Sequence, residues 1–192
     1  LACVVCTSDV WFGERSVFFF NDTATTEIAT SDLGVAAAGK ALAAAGVAKD
    51  EVDLVVFATM TPDHYFPGCG TLLQHKLGLR TVPCFDIRQQ CSGFLYGLQL
   101  ADAHVRAGLA KTVLLVGAEV HSGFGQWTQE NYAYALGESD VPPTKEEWDW
   151  NTRFRHLAVL FGDAGAAVVL PGVEGGDRGP LDHALHGAGA DY

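Results

Sequence analysis

Basic residues are scarce in this chain. Twelve lysines and arginines stand against twenty-three aspartates and glutamates in 192 residues, a formal net charge of −11. A surface so weighted toward acid argues against nucleic acid, or an anionic membrane, as the main partner. Long apolar runs are missing as well: no stretch approaches the roughly 20 residues of a membrane span. The first residues lack the basic-then-apolar order of a secretory leader, so a cytoplasmic protein is expected. Cysteines are few and odd in number, five. That speaks against a disulfide framework and for free thiols in a reducing compartment. With 48% apolar residues the chain can bury a core, and its length suits one domain or a piece of a larger one.

The opening does not fit the remainder. Ser16 to Thr30 (SVFFFNDTATTEIAT) puts three consecutive Phe before a polar run and matches neither the helical nor the strand period. One permitted codon set for residues 21–28 is AAT GAT ACG GCG ACC ACC GAG ATC, which reads like a sequencing-adapter oligonucleotide. Residues 1–29 are therefore taken as a suspect, non-native segment, with an unusual hairpin or lid loop as the alternative. The pair Cys3-x-x-Cys6 inside it lacks a second ligand pair and gives no case for metal. Residues 30–192 are taken as the domain proper.

From Ser31 the signals are regular. Ser31 or Asp32 is placed to cap an alanine-rich helix over residues 33–45 that Gly46 ends. Residues 52–59 are continuously apolar and β-branched, as in a strand covered on both faces. A second helix is predicted over 71–77, ended by Gly78, and a second strand over 82–87. A third helix follows over 91–107, with Phe94, Leu98, Ala101 and Val105 on its buried face and Gly108 beyond it. A third strand, TVLLVGAE, covers 112–119. Strands alternating with helices imply parallel pairing through crossovers, an α/β sheet. Residues 122–156, with Pro142-Pro143 and Trp127, Trp148 and Trp150, break this rhythm and read as a long excursion with at most a short helix. Two strands, 157–161 and 166–170, are expected around the turn Gly162-Asp163-Ala164-Gly165. The tail from Pro171 is Gly-rich and closes no element.

One residue stands where chemistry is possible. Cys91 comes directly after a strand and at the first turn of a helix, the end of an α/β sheet where ligand crevices form. A helix start offers unpaired N–H groups and a partial positive charge. These favour a thiolate, and the same groups can receive the oxyanion of a thioester under attack. Gly93 lets the backbone approach closely there. The competing reading is a buried, inert Cys, which is the one adopted for Cys69 and Cys84.

The segment FDIRQQCSGFLYGL, residues 85–98, resembles the nucleophile segment of the β-ketoacyl-acyl carrier protein synthase III enzymes of the thiolase-like superfamily. Four further segments resemble that family in order: TSDLGVAAAGKALAAA (30–45), DLVVFATMTPDHYFPG (53–68), LLVGAE (114–119) and FGDAGAAVVL (161–170). The resemblance implies the N-terminal half of a thiolase-like fold, a mixed sheet with buried helices in α-β-α layers. It implies that Cys91 accepts an acyl group from a short acyl-CoA. Attack by the carbanion from decarboxylated malonyl-acyl carrier protein would then give a 3-oxoacyl thioester in fatty-acid biosynthesis. It further implies a homodimer without metal or other cofactor. Phe66 would line the partner's acyl pocket, against the plain reading of a core Phe, and Arg155 would stack on the CoA adenine, against that of a solvated surface Arg. The family's assisting His and Asn are expected beyond residue 192, so residues 1–192 alone are expected to be inactive.

The chain also departs from the pattern. Gln89-Gln90 stand where small residues are common, Ala164 replaces a Gly, and the 122–156 excursion is long. Alternatives therefore stay open: another Cys-dependent condenser of the superfamily, such as a hydroxymethylglutaryl-CoA or polyketide-type synthase, or a non-catalytic partner subunit. Other candidates are weaker. His183-x-x-His186 lies between Pro180 and glycines, so no metal is expected there. His64 and His121 are read as structural. Glu138, Asp140, Glu146, Glu147 and Asp149 are read as a solvated face.

Overall fold

A computed structural model describes residues 18–20, 29–121, 128–173 and 184–186. Cys3, Cys6, Trp127, His183 and most of the Gly-rich tail fall outside these residues. The chain divides into two compact units. The larger, Cys6–Glu119 with Ala164–Tyr192, carries the sheet; the smaller includes Val120–Asp163.

The sheet unit holds β1 (Phe18–Phe20), α1 (Thr30–Ala45), β2 (Leu54–Ala58), α2 (Cys69–Leu77), β3 (Cys84–Ile87), α3 (Gly93–Arg106), β4 (Thr112–Glu119) and β5 (Ala164–Pro171). Strand order is β1-β5-β4-β2-β3. β2 pairs in parallel with both β3 and β4, whereas β5 runs antiparallel to β4 and β1 antiparallel to β5. All five residues of β2 are buried. Successive residues of a strand face opposite ways, and the contacts follow that rule. A Cβ at Gly34 of α1 would lie 2.6 Å from the Phe57 ring, and one at Gly97 of α3 would lie 2.5 Å from Leu115 and 3.4 Å from Val56. So α1 covers the Phe57 face and α3 the Val56–Leu115 face. These are the expected α-β-α layers, and glycine is what lets each helix sit so near the sheet. The α3-side core joins Leu54, Val56, Ala101, Val113, Leu115 and Val168.

Several boundaries depart from the sequence reading. Helix α1 starts at Thr30 with Ala29 as its cap residue. Ser31 does not cap it: its backbone N–H and its hydroxyl donate to Asp63. The second helix begins two residues early, at Cys69, because Asp86 accepts the N–H groups of Cys69 and Gly70 at 2.6 and 2.9 Å. The third helix begins at Gly93, after a 3₁₀ turn over Gln90–Ser92. Its buried positions are Gly93, Gly97 and Ala101, while Phe94 is 39% exposed and not part of a buried face. The triple Phe, read as fitting no period, forms the edge strand β1 against Gly165–Ala167. Gly46, Gly78 and Gly108 end their helices with φ of 61°, 69° and 71°, the conformation that favours glycine.

The smaller unit corrects the reading most. The excursion contains α4 (Gln129–Ala135) and α5 (Lys145–Leu160). Thr144 caps α5: its Oγ accepts the Glu147 N–H at 3.3 Å, and the Glu147 carboxylate accepts the Thr144 N–H at 2.8 Å. No strand forms over 157–161; the helix runs to Leu160 and β5 opens at Ala164. A short apolar run suits either state, and a helix already nucleated at Thr144 extends through it.

Candidate active site

The parallel strands β2, β3 and β4 deliver their carboxyl ends to one edge, at Ala58, Ile87 and Glu119. Cys91 follows β3 within the 3₁₀ turn and is exposed. The turn is tight. Gln90 has φ of +43°, the only positive φ of a non-glycine residue among the described residues. Such backbone is costly and persists where surrounding contacts enforce it. The enforcing contacts are visible: Ser92 donates its N–H and its hydroxyl to the Gln89 carbonyl at 3.0 and 2.8 Å. A Cβ at Gly93 would lie 3.0 Å from Cβ of Ala58, so the absent side chain allows the start of α3 to close on the end of β2. With its hydroxyl turned back to Gln89, Ser92 makes no side-chain hydrogen bond to the start of α3. The helix therefore opens uncapped by a side chain directly after the exposed sulfur.

The other described cysteines differ. Burial, with the Asp63 and Asp86 carboxylates near it, pushes the Cys69 thiol up to about 11. Burial and Asp86 push Cys84 up to about 11. Both stay protonated at neutral pH, in keeping with inert roles.

Phe66 belongs to the loop after β2. Its side chain is 91% exposed and that of Tyr65 is 79% exposed, so the plain reading of Phe66 as a core residue does not describe it here. The root of this loop is held on several sides. Glu119 at the end of β4 accepts from the Met60 N–H at 2.7 Å, the Thr61 hydroxyl at 2.7 Å and the Thr59 hydroxyl at 3.2 Å. Thr30 donates to the Thr61 carbonyl, Asp63 accepts from Ser31, and Arg88 donates to the Met60 carbonyl at 3.4 Å. The Arg88 guanidinium also lies 5.5 Å from the centre of the Tyr65 ring. A cleft of about 110 Å³ beneath the loop is lined by Thr59, Pro62, His64, Tyr65, Gly68, Asp86 and Arg88. His64 is exposed there. Sequence reading passed over Glu119 and Arg88 as functional side chains, because only the strand order brings Glu119 and the loop after β2 together.

Arg155 lies in α5, in the other unit, and its side chain is outside the described residues. In that unit the His121 ring stacks on Phe161 at 4.9 Å, and its backbone N–H donates to Asp163 at 2.6 Å. Glu138, Asp140, Glu146 and Asp149 are exposed, while Glu147 is partly covered at the cap of α5. Among the described residues no three His, Cys, Asp or Glu side chains gather as a metal would require, and no helix is long and apolar enough to cross a membrane.

Comparison with known proteins agrees with this geometry. Residues 85–139, which hold Cys91 and β4, match the profile of 3-oxoacyl-(acyl-carrier-protein) synthase III. The β-ketoacyl-(acyl-carrier-protein) synthase III of Rhodospirillum centenum is 41% identical across all of this chain, which covers 53% of that protein. The chain thus spans about half the length of the curated relatives it matches. Among solved structures, the 3-oxoacyl-(acyl-carrier-protein) synthase III of Aquifex aeolicus is 34% identical with a TM-score of 0.58, over 79% of this chain and 41% of that one. The tetronic acid condensing enzyme AbyA1 is 30% identical with a TM-score of 0.57, over 79% of this chain and 38% of its own. The exposed cysteine on a tight turn after a parallel strand, within an α-β-α sheet, lies inside the segment that matches the synthase III profile, and along its whole length this chain is similar to about half the length of the β-ketoacyl-acyl carrier protein synthase III proteins, with the thiolase-like fold.

Proposed function

We propose that this chain forms the amino-terminal half of an acyltransferase that carries out a decarboxylating Claisen condensation. The Cys91 thiolate attacks the thioester carbonyl of a short acyl-CoA. A tetrahedral oxyanion forms, the CoA thiolate leaves, and the acyl group stays on sulfur. Loss of carbon dioxide from malonyl-acyl carrier protein gives a carbanion that attacks this acyl carbon. A C–C bond forms, the C–S bond to Cys91 breaks, and a 3-oxoacyl thioester departs with the thiolate regenerated. A His and an Asn from the remaining half of the relatives' length would assist the decarboxylation.

The observation that carries this reading is the exposed Cys91 ahead of an uncapped helix start. The positive end of a helix suits an oxyanion. A homodimer in the cytoplasm completes the proposal. Its support is the partly exposed edge strand β3, with Phe85 41% exposed, next to the projecting Tyr65 and Phe66. An unpaired strand edge beside exposed aromatics invites a second copy. Phe66 would then line the partner's acyl pocket, and Arg155 would stack on the CoA adenine. A polyketide-type condensation is the second reading, favoured by the similarity to AbyA1.

The test is intact mass after acetyl-CoA is added to the polypeptide at its relatives' full length. Wild type gains an acetyl group that maps to Cys91. Cys91→Ala gains none and loses turnover by on the order of 10⁴-fold or more. An adduct that persists in Cys91→Ala overturns the role of Cys91. Equal use of a non-malonyl extender thioester would favour the second reading.

A further inference from the structure

The loop bearing Phe66 has a held root and a free tip. Its root, Thr59 to Asp63, is fixed by α1, β4 and the residue after β3, and its far end is fixed where Asp86 holds the start of α2. Between these anchors only His64, Tyr65, Phe66 and Pro67 are exposed in succession. The peptide unit of Met60 is gripped on both sides: its N–H donates to Glu119 at 2.7 Å and its carbonyl accepts from Arg88 at 3.4 Å. Glu119 holds the two flanking threonines as well, and Arg88 reaches on to Tyr65, the neighbour of Phe66. Arg88 is also three residues from Cys91 along the chain.

From this we infer that Glu119 and Arg88 are positioning residues that set how far the Tyr65–Phe66 tip projects, and thereby the length of acyl chain the enzyme accepts. The inference rests on the reading that Phe66 lines an acyl pocket. A half-buried carboxylate with three donors fixes the root in one arrangement, since both oxygens are engaged and each bond to a charged acceptor is strong. Arg88 adds a planar group that can bond a carbonyl and lie on a ring at once, which Lys cannot do. The aromatic wall of a pocket discriminates chain length only if its depth is set to within about a methylene, and discrimination of that size is roughly tenfold or more. A clamp on the loop root supplies that definition.

The test compares kcat/KM for acetyl-, butyryl-, hexanoyl- and octanoyl-CoA in the full-length enzyme, for wild type and for Phe66→Ala, Glu119→Ala, Glu119→Gln and Arg88→Ala. Phe66→Ala should move the preference toward longer chains. Glu119→Ala and Arg88→Ala should change the ratio between the best and next-best chain by about fivefold to tenfold. Glu119→Gln should stay near wild type, because its amide oxygen still accepts from Met60 and its amide nitrogen can donate to a threonine hydroxyl. A merely structural role would lower the folded fraction and all four rates together, leaving the ratios unchanged. Arg88 is exposed, so its variant reports even if Glu119→Ala fails to fold. If Phe66→Ala shifts the preference and neither clamp variant does, the positioning role is refuted. If Phe66→Ala itself shifts nothing, the pocket reading falls, and the clamp has no acyl chain to select.

Discussion

Two helices start at the same edge of the sheet, one after β2 and one after β3, and they are finished in opposite ways. The start of α2 is closed. Asp86 takes the N–H groups of Cys69 and Gly70, and the cysteine there is buried with its thiol pushed up to about 11. The start of α3 has no such carboxylate and follows a 3₁₀ turn. Ser92 turns its hydroxyl to Gln89, no side chain caps the helix, and the cysteine before it is exposed. A cysteine at a helix start is therefore not in itself a nucleophile. A carboxylate that satisfies the N–H groups also sets a negative charge beside the sulfur, which disfavours the thiolate. At the start of α3 no carboxylate takes the N–H groups and solvent reaches the sulfur, so a reacting thioester can approach it.

The largest effect that could break this contrast is a rate of alkylation. At pH 8 iodoacetamide should modify Cys91 at least about 100-fold faster than Cys69 or Cys84, read by peptide mapping, since the thiolate is the reacting form. The slow pair should speed up only as pH rises from 9 toward 11, the range to which their thiols are raised. Comparable rates at pH 8 would erase the distinction between the two helix starts. A smaller effect sharpens it. Asp86→Ala removes both bonds at the closed start and should cost about 2 kcal/mol in a denaturant titration. With that negative charge gone, Cys69 should alkylate at lower pH than in wild type, because the thiolate is less disfavoured. It should still titrate above an ordinary thiol, since burial is the largest cause of its shift. A Cys69 profile unmoved in Asp86→Ala would show that the carboxylate closes the helix without influencing the sulfur.

These two helix starts also show what sequence can and cannot reveal. The strand-then-cysteine junction, the β2 and β4 runs and the glycine stops at 46, 78 and 108 were readable because each depends on residues within a turn or a strand length. The closing of α2 was not, because Asp86 lies seventeen positions after Cys69. Ser31 looked like a cap but is taken by Asp63, thirty-two positions away. Glu119 and the loop root it holds are separated by fifty-eight to sixty positions and meet only because β4 pairs with β2. Pairing across the sheet recruits polar side chains away from local duties, and no local pattern encodes it. The miss at α5 was of another kind: Thr144-x-x-Glu147 is a local capping signature, hidden between a proline pair and a tryptophan-rich stretch that looked irregular.

That local cap offers the smallest prediction and a third case to set beside the other two. Helix α5 is closed by its own neighbours, Thr144 and Glu147, rather than by a distant strand. Hydrogen bonds from the Thr144 backbone N–H and hydroxyl hold the Glu147 carboxyl below the usual carboxylate range. A carboxyl whose pKa is lower folded than unfolded stabilises the folded form above its unfolded pKa, and that contribution disappears as pH falls through the folded value. Thr144→Ala keeps the backbone donor but loses the hydroxyl, so it should cost about 1 kcal/mol at neutral pH. The loss should appear as reduced helical signal in circular dichroism. It should leave the alkylation rates of Cys91, Cys69 and Cys84 unchanged, since a cap built from adjacent residues reports only on its own helix. As the solution is acidified the gap between variant and wild type should narrow, because a protonated Glu147 no longer accepts the hydroxyl's bond as a carboxylate, but it should not close, because the bond from the Glu147 N–H to the Thr144 Oγ is still missing in the variant. If Thr144→Ala instead altered the Cys91 rate, local and long-range helix closure would not be separable in this chain, and the contrast between α2 and α3 could not be assigned to Asp86 alone.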